Sequence, residues 1–190
     1  MTTPQRNLAA SFLIRLVLTL LLLAWAVQPF TSGSSQGNIL EDVSGIGIPG
    51  TMLIVGLFFG MVAFYCRTLQ KCLALIKPEN RKAKPHSVWY MFAIPFNFVE
   101  DFFIVIDLAN SLEEEKKTNV GLRDITDYGM VSGIGWCIAQ LLSFVPGLVG
   151  QLAGAVGMLL VFHHWIHISR INRLLLQNQG LNRSQLTPMS

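Results

Sequence analysis

From Met130 to Ile168 the chain runs for 39 residues without one Asp, Glu, Lys or Arg. At about 1.5 Å per residue, a single helix of that length is nearly twice what is needed to cross a bilayer. A segment this apolar is solvated by lipid rather than by water, and its excess length requires it to fold back. Pro146-Gly147 is the natural hinge, because proline removes a helical hydrogen bond and clashes with the preceding turn. The expectation is a pair of arms, 130–145 and 148–170, the second continuing as a helix to about Leu176.

The rest of the chain fits the same solvent. Of its 190 residues 52% are hydrophobic and 13% charged, outside the ordinary range of a water-soluble domain. A single integral membrane domain over 1–190 is expected: all-α, a polytopic helical bundle with about four spans. A first span is read at 8–30 as an uncleaved anchor. A polar loop carrying Glu41 and Asp42 follows, then a second span at 46–66. From Arg67 to His86, six Lys and Arg residues face one Glu, so 67–86 is read as a cytoplasmic basic segment. With the hinge at Pro146, both termini are also cytoplasmic. Trp89, Tyr90, Trp136 and Trp165 are expected as aromatic anchors near the inner interface. The net charge of +3 is too small and too dispersed for a nucleic-acid surface.

The exception to the apolar pattern is 87–112, broken at Ile94-Pro95-Phe96-Asn97 and carrying acids. It is read as a re-entrant or interfacial helix, since irregular backbone at membrane depth needs protein or water around it. At 100° per residue Asn97, Glu100, Asp107 and Ser111 share one helical stripe, with Asp101 beside it. Three carboxylates at the bilayer centre would cost roughly 8 to 10 kcal/mol. They must therefore lie at the interface, be neutralised, or face a polar cavity, and Asn97, Glu100, Asp101 and Asp107 form a candidate ion, proton or partner site.

A second polar cluster, His163, His164 and His167, has i, i+3 and i, i+4 spacing that brings imidazoles together on a helix. A haem, pigment or metal there is the minor reading, because His86 is the only other histidine in the chain; no cofactor is expected beyond lipid. Gly147, Gly150, Gly154 and Gly157 lie along one face, and Gly56 with Gly60 forms a G-x-x-x-G pair, both suited to close helix packing in lipid. Cys66, Cys72 and Cys137 read as small core residues. GIGIPG at 45–50 matches G-x-G-x-x-G formally, but no strand precedes it, so it is read as a helix-entry loop. No nucleophile–base constellation or P-loop is present, and no enzymatic activity is expected.

The stretch KPENRKAKPHSVWYMFAIPFNFVEDFFIVIDLANSLEEE, with GIGWCIAQLLSFVPGLVG later, resembles an uncharacterised family of small bacterial four-helix membrane proteins. The residues carrying the likeness are Trp89, Ile94, Pro95, Phe96, Asn97, Leu108, Ala109, Ser111, Leu112, Pro146 and Gly147, over about half the chain. The resemblance implies a bacterial inner-membrane location and the four-helix architecture, and it carries no activity. Glu100 and Asp101 depart from the apolar or aromatic residues of the family pattern. The expected function is a non-catalytic accessory or structural subunit of a larger membrane complex, with lipids and other subunits, or a second copy, as partners. The alternatives are a proton or cation channel or transporter component using the acidic stripe, and a histidine-ligated cofactor protein.

Overall fold

The computed structural model describes residues 16–21, 24, 39–93 and 97–186, and the side chains of all but 39–46 and 181–186 among them. Every regular element among them is helical, and none is a strand. Four α-helices carry the fold: α1 (Ile39–Leu75), α2 (Asn97–Lys116), α3 (Met130–Leu142) and α4 (Leu148–Leu186). Three-ten turns at Pro78–Asn80, Pro85–Phe92 and Val120–Leu122 join them. Of the expected first span, only 16–21 and 24 are described, and they are helical. The break at 94–96 lies outside the described residues.

α1 begins earlier than its hydropathy indicates. The chain is already helical at Ile39, where the sequence reads as a polar loop, and GIGIPG is a kink within the helix rather than a loop before it. Gly47 sits at φ 73°, a conformation that stops a helix and that glycine adopts without a Cβ penalty. Pro49 follows in the first turn of the next helical piece, where its missing N–H costs nothing.

The lower part of α1 is amphipathic. Tyr65, Cys66, Leu69, Cys72, Leu73 and Ile76 recur at helical spacing, and all are buried. They meet Ile104, Val105, Leu108 and Leu112 of α2 and Ile168, Ile171 and Leu175 of α4 in one core. Above them, Met52, Leu53, Leu57 and Phe58 are all exposed. The core is thus confined to the end of the molecule that carries the basic segment.

Helix directions follow from which residues meet. Along α1 and α4, Tyr65 pairs with His164, Thr68 with Trp165 and Asn172, and Leu75 with Gln179. Both sets of numbers rise together, so the two helices run parallel. α3 runs against them. Gly135 faces Leu160, Ala139 faces Gly157 and Ser143 faces Gly154, so the partners converge on the turn at 143–147. Gly147 holds that turn at φ 85°, and the apolar segment doubles back there. α3 ends at Leu142, three residues before the boundary read from sequence, because 143–147 forms the turn. α4 continues to Leu186.

Pro85–Phe92 and Asn97–Lys116 form the two arms of a second hairpin. Trp89 bonds Gln70, Cys66 lies against Val88 and Met91, and Phe92 stacks on Phe59, so this arm climbs antiparallel to α1. α2 then descends until Glu115 meets Lys77. The hairpin enters and leaves at the basic end.

Candidate functional site

α2 splits the acidic stripe between two environments. Glu100 and Asp107 are half-buried and line a groove of about 330 Å³ with Lys82, Lys84, His86 and Tyr90 of the basic connector. Asp101, one position round the helix, turns inward and is 3% exposed. It lies within electrostatic reach of Tyr65, Cys66 and Cys137. Its Oδ1 has no hydrogen-bond partner among the described residues, nor has Oδ1 of Asn97.

The histidines divide in the same way. His163 and His167 stack on each other with ring centroids 6.4 Å apart, and the Nε2 of His167 pairs with the backbone oxygen of Asp127 at 2.9 Å. His164 points into the core instead. It is 1% exposed, and its Nδ1 is 2.8 Å from the hydroxyl of Tyr65. Two glycines of the α3 entry make room for this imidazole. Gly129 is at φ 80° with the His164 ring against it, and a Cβ on Gly133 would collide with Val105 and lie 3.1 Å from His164 Nε2.

Trp136 completes the cluster. Its ring stands edge-on to Tyr65 at 6.0 Å, and its indole N–H has no acceptor among the described residues. It is 8% exposed, which corrects its reading as an interfacial anchor. The apolar faces of α1, α2 and α4 converge on α3 at this point, and a tryptophan there is drawn into the core by its area. Trp89 and Trp165 stay at the surface margin and donate to Gln70 and Thr68.

The two clusters read from sequence therefore approach each other through Asp101 and His164 rather than through Glu100, Asp107, His163 or His167, with Tyr65 between them. The unpaired carboxyl oxygen of the buried Asp101 calls for a physical explanation, because buried polar groups are nearly always bonded; the Trp136 side chain lies beside Tyr65, and Asn97 is half-buried one turn away on α2. The cysteines are all free and buried. No group of three or more metal-ligating side chains occurs among the described residues.

Glu115 is a buried anchoring residue the sequence reading missed. It is 1% exposed, and its carboxylate accepts from the backbone N–H of Lys77 (3.1 Å) and from the side chains of Asn80 (2.8 Å) and Asn119 (3.3 Å). It ties the basic connector and the loop after α2 to the core. The signal was present, since Ile104, Leu108, Leu112 and Glu115 lie on one helical face. Its neighbour Glu114 does the ordinary thing: a hydrogen bond from Lys117 (2.7 Å) holds its carboxyl below the usual range. In water such a pair contributes little.

The glycines also separate by role. Gly150, Gly154 and Gly157 lie in the α3–α4 hairpin, and Gly147 forms its turn. Gly56 and Gly60 have nothing within 4 Å of where a Cβ would stand among the described residues.

The described residues define an all-helical fold, and among them two helices are long and apolar enough to cross a membrane, Gly47–Leu75 and Leu148–Gly180. The first has none of its most apolar window buried and the second 17%, unlike core helices of a water-soluble protein. Compared with known proteins, the chain matches no family model, no curated protein and no solved structure.

Proposed function

We propose that this chain is an integral membrane protein of the bacterial inner membrane, a member of the small four-helix family it resembles, acting as a non-catalytic accessory subunit of a larger complex. Its basic end faces the cytoplasm, as the excess of Lys and Arg there favours. The polar bonds between α1 and α4 hold that end rigid, in the way hydroxyl, amide and imidazole groups link helices in lipid. The observation that carries the subunit reading is the upper half of α1: residues 52–59 are exposed all round, with Gly56 and Gly60 open on one face. Small residues on an unfilled face allow another helix to approach closely.

The test is extraction in lipid particles followed by native mass spectrometry. A species heavier than one chain is expected, and Gly56→Leu should reduce it to a single chain while leaving the helical circular dichroism unchanged. A wild-type protein that is monomeric after gentle extraction ends the subunit reading.

A second reading is favoured by Asp101. A carboxyl buried among membrane helices with no cation beside it binds a proton or a cation, or it is not tolerated. In this reading Asp101 is the carrier, and Asn97 and Trp136 supply the acceptor and the donor that a guest water or ion meets. Infrared difference spectra across a pH step should show a protonated-carboxyl band that Asp101→Asn removes. An unchanged spectrum in that variant rules the carrier out.

A further inference from the structure

We infer that the groove between the lower parts of α1 and α4 holds the headgroup of an anionic phospholipid, with its phosphate among Arg67, Lys71 and Arg173; this rests on the membrane reading above. The groove encloses about 610 Å³, and no acidic residue lines it. Arg67 and Lys71 are one turn apart on α1, and Arg173 faces them from α4. None of the three has an ion-pair partner among the described residues. Three exposed cations lining one groove give it a positive potential, and an anion seated there is attracted to all three.

The lining changes character along the helix axis as a lipid does. Phe64 and Trp165 come first, and Phe64 is 63% exposed next to the bare apolar surface of α1. Arg67, Lys71 and Arg173 follow towards the basic end. An acyl chain can therefore lie on the aromatic part while the phosphate reaches the cations. Trp165 bridges the two zones, with its ring in the groove and its N–H bonded to Thr68 at 2.8 Å. Asn172 adds a second and independent sign. It is 5% exposed, lines the groove, and donates Nδ2 to the Thr68 carbonyl, while its buried Oδ1 has no donor among the described residues. A headgroup hydroxyl, as on phosphatidylglycerol, supplies the missing donor. Basic pockets between membrane helices on the cytoplasmic side are suited to such headgroups.

The experiment uses the full chain in detergent, titrated with phosphatidylglycerol, with phosphatidylcholine, or with inorganic phosphate, and bound lipid is counted by native mass spectrometry. Phosphatidylglycerol should be retained over phosphatidylcholine. Each of Arg67→Gln, Lys71→Gln and Arg173→Gln should weaken that retention about fivefold, and the triple variant about a hundredfold. Asn172→Ala should narrow the preference with the cations intact. Arg123→Gln, away from the groove, should change nothing. Equal retention of the two lipids, or of phosphatidylglycerol by wild type and triple variant, overturns the inference; so does inorganic phosphate that competes as well as the lipid. Cell fractionation separates the two readings. A chain found outside the membrane fraction defeats both, whereas a membrane-bound chain without lipid preference defeats only this one.

Discussion

Glu115→Ala should destabilise the protein by about 2 to 4 kcal/mol, the largest effect expected from a single substitution away from the helix interfaces. The carboxylate is 1% exposed and satisfies three donors, from Lys77, Asn80 and Asn119. Alanine removes the acceptor and leaves donors on the exposed Lys77 and the half-buried Asn80 and Asn119, which water reaches in part, so each orphaned group costs about 1 kcal/mol, the low end of the usual range. Glu115→Gln keeps one acceptor oxygen and turns an amide group towards another donor, so it should cost less, about 1 to 2 kcal/mol. The measurement is thermal unfolding in detergent together with limited trypsin cleavage. Cleavage after Arg81 and Lys82 should accelerate in Glu115→Ala, because the connector loses its anchor; Lys84 precedes Pro85 and resists trypsin. Cleavage and midpoint like those of wild type would show that Glu115 does not hold the connector.

Gly150→Ala should cost about 2 to 3 kcal/mol, although the position is helical and alanine is the better helix former by about 1 kcal/mol. Two effects of opposite sign compete there. The gain in propensity is modest, whereas a Cβ on Gly150 would collide with the carbonyl oxygen of Val145, a backbone atom of the turn that cannot rotate away. The turn itself would have to open. Gly154→Ala is the internal comparison, since its Cβ would meet the Cβ of Ser143 at 3.7 Å, an ordinary contact. It should be neutral or slightly stabilising. Thermal unfolding monitored by circular dichroism distinguishes the pair, and equal midpoints for the two variants would refute the close approach at the turn.

Much of the architecture can be read from the residues in order. Thirty-nine positions without a charge force a fold-back, and Pro146-Gly147 marks where it occurs. The alternation of Arg67, Lys71 and Lys77 with Leu69, Leu73 and Leu75 marks the end of α1 as an amphipathic helix, and Leu69 and Leu73 are buried there while Leu75 is half-buried. Local signals misplace boundaries where two of them compete. At GIGIPG, glycine and proline mark a break, yet helix exists on both sides of it, so a kink is taken for an entry loop. Trp136 shows a different failure. Its residue type suits an interface, and only its neighbours decide that it is covered.

The candidate site was legible in its residue types and not in its pairing. The spacing placed Glu100 and Asp107 on one stripe with Asp101 beside it, and it gathered three histidines within five residues. It could not say that Asp101 and His164 would be the inward members. Helical periodicity fixes which side chains share a face. Which face meets another helix depends on contacts between residues about a hundred positions apart, such as Tyr65 with His164. Sequence alone therefore determined the long apolar segments, the helices and the turn, because each follows from neighbours along the chain. The tertiary structure alone decided which acid is buried, which imidazole meets Tyr65 and where Glu115 is held, because burial is a property of the assembled helices.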